Sequence, residues 1–153
     1  MRVKILIING PNLNMLGVRE TSIYPQATLE QIIGAAAEYK YEMPVKVDHF
    51  QSNHEGGLID RIQQARGAYD LLIVNAGALT HYSIGLRDAL LACEAPFAEV
   101  HLSNIFAREP FRRVSVLSDI AFCVISGAGE ASYTLAIIAG LNLLKKKSKE
   151  KKK

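Results

Sequence analysis

The chain has 153 residues, of which 49% are hydrophobic and 22% charged, the composition of one globular domain rather than of a disordered segment. No apolar run approaches the roughly 20 residues that span a bilayer, and the two cysteines, Cys93 and Cys123, form neither a CxxC pair nor a metal-ligand spacing and read as isolated buried thiols. The net charge of +3 belongs to one end: residues 145–153 hold seven lysines and one glutamate, a net +6, which leaves 11 basic against 14 acidic residues, a net −3, in the body. A lysine run of this kind reads as a solvated, disordered tail rather than as a nucleic-acid or lipid contact. The expected organisation is a single domain over residues 1–144 followed by that tail. The N-terminus enters a strand with no signal-peptide pattern, so the expected location is cytoplasmic.

Residues 2–9 read as a first strand, buried where they are continuously apolar. The stretch from Asn9 to Tyr24 that ends it is long for a connection between a strand and a helix, which usually takes about 2–6 residues. It carries three side-chain amides, Arg19, Glu20 and Tyr24, and is a candidate active-site lid. Thr28-Leu29-Glu30-Gln31 has capping-box spacing. Leu29, Ile32, Ile33, Ala36 and Ala37 follow at helical period, which predicts a helix to about Tyr41, with Pro44 marking its end. Residues 45–50 give a second strand. Ser52-Asn53-His54-Glu55 is a second capping-box candidate, opening a helix through Ile59, Ile62 and Ala65 that Gly67 closes.

Residues 70–75 form a third strand, apolar on both faces, which belongs at the covered centre of a parallel sheet. A loop over residues 76–81 leads to a helix carrying Leu86, Ala89, Leu90 and Cys93; after Pro96, residues 97–102 form strand four. A polar segment with a short helical turn, residues 103–113, precedes strand five at 120–125. Ser126-Gly127-Ala128-Gly129 then turns into a last helix from Glu130 to about Leu144, apolar on most sides. This order predicts a five-stranded parallel doubly wound sheet in three α/β/α layers, flavodoxin-like in class.

In such sheets ligands bind at the carboxyl ends of the strands, and those ends are polar here. Strand one ends in Asn9 and Asn12; strand two in Gln51-Ser52-Asn53-His54-Glu55; strand three in Asn75, with His81 beyond; strand four in His101, followed by Ser103, Asn104, Arg108, Arg112 and Arg113. An excess of Asn, Ser, His and Arg suits a small hydroxylated anion, since arginine binds carboxylate bidentately. Backbone N–H groups near Leu102 and Ser103 offer a second carboxylate contact. No GxxxxGK[ST] loop, complete dinucleotide fingerprint, GxSxG elbow or histidine spacing of a metal site is present, so neither a nucleotide cofactor nor a metal is expected. Acid–base chemistry remains. Glu99 lies two residues before His101, on the same strand face, where a carboxylate fixes the imidazole tautomer and suits it to proton donation. Tyr24 serves as a base only if its pKa of about 10 falls toward 7, a change of about 4 kcal/mol; guanidinium groups at Arg19 and Arg108 are placed to supply it.

These residues also carry a family resemblance. Asn9-Gly10-Pro11-Asn12-Leu13-Asn14 with Leu16-Gly17, Arg19-Glu20 and Tyr24 resembles the opening signature of the type II 3-dehydroquinate dehydratases. Gln51-Ser52-Asn53-His54-Glu55-Gly56 resembles their second motif, and Asn75-Ala76-Gly77-Ala78 with Thr80-His81 their third. Glu99-Val100-His101-Leu102-Ser103-Asn104, Ala107-Arg108-Glu109 and Phe111-Arg112 resemble the fourth. The match spans about residues 3–140, and four colinear motifs are far more specific than a lone glycine-rich loop. Departures are Pro25 where glycine is expected, Phe106 where histidine is frequent, Ala131-Ser132 in place of glycine near Tyr133, and the lysine tail.

The resemblance implies a hydro-lyase that converts 3-dehydroquinate to 3-dehydroshikimate and water by anti elimination through an enolate, with no cofactor and no metal. The step belongs to the shikimate pathway, toward chorismate and aromatic amino acids, or to quinate catabolism. By position it implies Tyr24 as the base that removes a proton beside the ketone, Arg19 and Arg108 holding it as tyrosinate, and Asn12 with an ordered water on the enolate. His101, oriented by Glu99, is implied as donor to the departing hydroxyl. Asn75 and the Leu102 and Ser103 amides are implied for the carboxylate, and His81 and Arg112 for the ring hydroxyls. Asp88 resembles a residue lent to a neighbouring subunit, which implies trimers assembled into dodecamers. A non-catalytic binder of shikimate-like acids on the same fold is the alternative, and a flavodoxin-like nucleotide binder a third reading. No nucleic-acid or membrane partner is expected.

Overall fold

The computed structural model describes residues 2–18 and 26–150. Five strands, β1 (Val3–Asn9), β2 (Val45–Gln51), β3 (Leu71–Asn75), β4 (Phe97–His101) and β5 (Cys123–Ser126), form one sheet in the order β2-β1-β3-β4-β5 with every pairing parallel. Four helices, α1 (Leu29–Glu38), α2 (Glu55–Ala65), α3 (Ile84–Cys93) and α4 (Ser132–Glu150), cover it. This is the flavodoxin-like doubly wound class, whose strand order reverses between β1 and β3. Both strands are buried along almost their whole length, as strands covered on two faces must be.

Alternate residues feed two cores. Ile5, Ile7, Ile73, Ala98 and Val100 pack with Leu29, Ile32 and Ile33 of α1 and Tyr133, Ala136 and Ile137 of α4. Leu6, Ile8, Leu72, Val74 and Phe97 pack with Leu58 and Ile62 of α2 and Leu86 and Leu90 of α3. The α4 layer comes very near the sheet, because a Cβ at Gly140 would overlap the Leu71 side chain.

The Thr28 capping box forms as its spacing predicts: Gln31 N–H donates to the Thr28 hydroxyl at 3.3 Å and Thr28 N–H donates to Gln31 Oε1 at 2.9 Å. Several details differ from the sequence expectation. Helix α1 stops at Glu38 rather than Tyr41, because the Tyr41 hydroxyl donates to the Ala36 carbonyl at 2.7 Å and ends the ladder there. The second capping box does not form. Ser52 Oγ accepts from His54 N–H at 3.0 Å, His54 is the extended N-cap, and the Glu55 carboxylate takes the Ser83 hydroxyl instead. Strand five begins at Cys123, since the Ile120 and Ala121 N–H groups turn back to the Leu117 carbonyl, both at 3.2 Å. The lysine-rich tail was expected to be disordered from residue 145, but α4 runs on to Glu150, with Lys145 paired to Glu42 across the surface. Lysine is a good helix former, and basic residues in a last turn complement the helix dipole.

Candidate active site

The polar ends of β1, β3 and β4 border one cleft of about 120 Å³, walled by residues 11–16, 75–81 and 101–112. Register sets its floor: Asn9 lies opposite both Gln51 and Asn75, and His101 opposite Ser126. Asn9 and Asn75 are buried, and the Tyr133 hydroxyl from α4 sits between them, donating to Asn9 Oδ1 and accepting from Asn75 Nδ2 at 3.0 Å. Burial pushes the Tyr133 hydroxyl far above its ordinary pKa, which keeps it a donor. The strand ends are further tied by Gly10 N–H to the Asn75 carbonyl at 2.8 Å, Ser52 N–H to the Asn9 carbonyl at 3.1 Å and Gln51 Nε2 to the Gly10 carbonyl at 3.2 Å.

The loops after β1 and β3 meet backbone to backbone. A Cβ on Gly10 would overlap the Ala76 carbonyl, and Gly77 has φ +60° with Pro11 O at 3.1 Å from its Cβ direction, so both positions require glycine. Asn12 takes a left-handed conformation (φ 67°), one that asparagine tolerates, and its N–H donates to Asn53 Oδ1 at 2.9 Å. Its exposed side chain is left at the cleft wall.

On the far wall, His101 and Glu99 share a strand face as the spacing predicts. His101 Nε2 is 2.8 Å from Glu99 Oε1, and both residues are buried, Glu99 completely. Burial works to raise the Glu99 carboxyl, but hydrogen bonds from His101, Thr80 and Ser115 outweigh it and hold the group below its ordinary range. Glu99 is therefore a carboxylate with Nε2–H of His101 on it, and Nδ1 is the ring nitrogen left for a ligand in the cleft. The arrangement is that of a proton donor backed by a fixed negative charge.

Basic side chains complete the wall. His81, Arg108 and Arg112 border the cleft, as do Leu102 and Ser103 at the end of β4. His81 Nδ1 faces the Val114 carbonyl at 2.7 Å. Arg112 Nε donates to Glu109 at 2.9 Å and Arg108 Nε lies 3.6 Å from the same carboxylate. A site of this kind takes a small anion with hydroxyls and delivers a proton to it. Among the described residues no three metal-ligating side chains converge.

Of the residues expected from sequence, Asn12, Asn75, His81, His101, Leu102, Ser103, Arg108 and Arg112 border the cleft, with Glu99 directly behind His101. Asp88 is exposed on α3, outside the cleft lining. Arg19 and Tyr24, together with Pro25, lie outside the described residues. Three supports were not singled out for the site: buried Tyr133 looks like a core aromatic, half-buried Ser115 like an ordinary loop hydroxyl, and buried Thr80 entered only as part of the third motif.

A family profile described as dehydroquinase class II matches residues 3–141. A 3-dehydroquinate dehydratase of Methylococcus capsulatus is 55% identical over 140 residues, covering 91% of this chain and 95% of its own. A catabolic 3-dehydroquinase of Phaeosphaeria nodorum is 54% identical over 137 residues, 90% of each chain. The crystal structure of a type II dehydroquinase from Butyrivibrio crossotus superposes with a TM-score of 0.86 at 42% identity, covering 91% of this chain and 97% of that one.

Proposed function

The chain belongs to the class II dehydroquinase family, and from that premise we propose that its cleft dehydrates 3-dehydroquinate to 3-dehydroshikimate. The observation that carries the reading is the buried His101–Glu99 pair opening onto a cleft bordered by Arg108 and Arg112. Substrate carboxylate lies against Asn75 and the Leu102 and Ser103 backbone. His81 and Arg112 hold the ring hydroxyls.

Tyr24, as tyrosinate beside Arg19 and Arg108, removes the proton from the carbon next to the ketone. The electrons move onto the ketone oxygen, and the enolate is held through Asn12 and an ordered water. As the enolate collapses, the bond to the β-hydroxyl breaks on the opposite face. His101 gives its Nδ1 proton to that oxygen, which leaves as water. Tyr24 has gained one proton and His101 has lost one, so transfer through solvent restores both. Every group in this scheme is an amino-acid side chain or a water.

The remaining parts of the reading concern assembly and place. Residues 1–144 form one dehydratase-like unit. Asp88, exposed on α3, serves a neighbouring subunit's site in a trimer, and trimers assemble into a dodecamer in the cytoplasm. Solution mass tests this, since an active monomer contradicts the role given to Asp88.

The direct test is turnover. Purified protein given 3-dehydroquinate should generate the enone chromophore in the ultraviolet without added metal or cofactor. Tyr24→Phe should abolish the signal while substrate affinity stays close to wild type. An inert wild-type protein rejects the dehydratase reading, and normal turnover by Tyr24→Phe rejects the tyrosinate.

A further inference from the structure

The carboxylate behind His101 is held unsymmetrically. Three donors converge on a single oxygen, Glu99 Oε1: His101 Nε2 at 2.8 Å, Ser115 Oγ at 2.7 Å, and the Thr80 hydroxyl. The other oxygen, Oε2, is buried with no hydrogen-bond partner among the described residues. A carboxylate has acceptor capacity on both oxygens, yet each bond that Glu99 receives lies on the oxygen facing the imidazole.

Ser115 reaches this point from the segment that follows the short helical turn of Pro110–Arg112. Its Oγ accepts from Leu117 N–H at 3.0 Å and Ser118 N–H at 3.1 Å. Those two bonds use the oxygen's lone pairs and leave its one proton for Glu99. Thr80 also spends its one proton on Glu99, so the 3.0 Å approach of the two hydroxyl oxygens follows from their common acceptor. The segment itself is clasped to the end of β3. Val116 N–H donates to the Thr80 carbonyl at 2.8 Å, Arg87 Nη1 to the Val116 carbonyl at 2.7 Å, and His81 Nδ1 lies 2.7 Å from the Val114 carbonyl. The hydroxyl is thus fixed from both sides, three residues after a cleft arginine.

We infer that Ser115 is a positioning residue for the His101 proton donor, acting through Glu99; the inference rests on the dehydratase reading for the identity of the reaction. The chemistry is specific. A hydroxyl donated to a carboxylate favours the charged form. An ionised Glu99 accepts the Nε2–H of His101 and so leaves Nδ1 as the ring nitrogen facing the departing oxygen. His101 is the titratable group facing Glu99, and the other elements packed on it contribute the uncharged hydroxyls of Thr80 and Ser115.

The test compares the full-length wild type with Ser115→Ala, Ser115→Cys and Ser115→Thr. In Ser115→Ala, kcat should fall about tenfold to hundredfold, the effect of one lost hydrogen bond to a charged group, with KM within about twofold. The carbon-13 carboxyl resonance of Glu99 should titrate at higher pH, and Ser115→Thr should restore both readouts. Ser115→Cys keeps the volume but donates weakly, so it should move the Glu99 titration the same way even where the alanine variant fails to fold. A raised KM with an unmoved Glu99 titration means that Ser115 only shapes the Arg112 segment, and overturns the inference. Unchanged kcat in a folded alanine variant overturns it too. The Glu99 titration needs no substrate, so it remains decisive if the wild type proves inert toward 3-dehydroquinate and the dehydratase reading falls.

Discussion

Tyr133→Phe isolates one hydroxyl at the base of the site. The ring is fully buried among α1, α4 and the sheet, and phenylalanine keeps that ring, so no cavity term enters. What goes is the bridge between Asn9 and Asn75, one bond donated and one accepted at 3.0 Å. Asn9 Oδ1 and Asn75 Nδ2 lose the partner they had, and Asn9 Nδ2 already has none among the described residues. A buried polar group left without a partner costs about 1–3 kcal/mol. Asn9 is sealed and takes the upper part of that range, whereas Asn75, though buried, borders the cleft and takes the lower part. The expected loss is about 2–4 kcal/mol. For a chain of 153 residues this lowers Tm by roughly 5–15 °C. Urea unfolding followed by far-ultraviolet circular dichroism, with calorimetry at the same fixed protein concentration, measures it. KM should rise in parallel, because Asn75 is no longer held against the cleft floor. A loss below about 0.5 kcal/mol, with KM unchanged, would refute the bridge as the feature that organises the strand ends.

Glu99→Gln separates charge from shape: the amide oxygen still accepts from Thr80 and Ser115, so Tm should move by only a few degrees while kcat falls at least about a hundredfold, and equal losses of stability and activity would contradict this. The same variant tests the acid limb. Because the Glu99 carboxyl is held below its ordinary value, its stabilisation is complete above the unfolded carboxyl pKa of about 4.3 and is lost as pH falls through the lower folded value; Tm against pH should flatten there in Glu99→Gln. Gly10→Ala should prevent folding or cost more than about 3 kcal/mol, since its Cβ meets the Ala76 backbone, whereas Gly140→Ala meets the Leu71 side chain, which can shift, and should cost about 1–3 kcal/mol; denaturation midpoints that reverse this order would contradict the two contacts. Burial pushes the Tyr41 hydroxyl up to about 12 against a weaker lowering by Thr134, so its contribution is complete below about pH 10 and is lost as pH rises toward 12, a limb that Tyr41→Phe should remove from an alkaline stability curve.

The parts of the fold that were legible in the sequence share one property: their signal is local. Thr28 and Gln31 cap a helix that they themselves begin, and the two-sided apolar run of β3 declares its central place before any partner is known. The His101–Glu99 pair was legible for the same reason, as two residues on one strand face form a contact whatever packs above them. What was not legible depends on distant partners. Glu55 was expected to cap its own helix, but Ser83 of the next crossover supplies its hydrogen bond. Tyr133 lies 124 residues from Asn9, and Ser115 lies 16 from Glu99 with two irregular turns between. A serine in a loop has many uses, and only the folded chain selects one. The lysine run misled because its charge was weighed and its helix propensity was not; α4 continues into it as far as Glu150.

The support around Glu99 has a consequence for the timing of the reaction. A buried carboxylate needs compensation, and the charged group acting on this one is His101. While the imidazole is doubly protonated, Glu99 faces a full counter-charge; once the proton has gone to the departing oxygen, the imidazole is neutral and the carboxylate remains in a sealed site. A carboxylate stabilised by His101 alone would then be at its least stable at the moment the product forms, and it would tend to draw a proton back and resist release of the one it supports. Thr80 and Ser115 are donors whose hydroxyls carry no charge in either state. They support the Glu99 charge in both states, so the carboxylate left behind after transfer is not without donors. A fixed lysine or arginine at the same point would also have offset the burial, but it would compete with His101 for Glu99; the neutral hydroxyls leave that pairing in place.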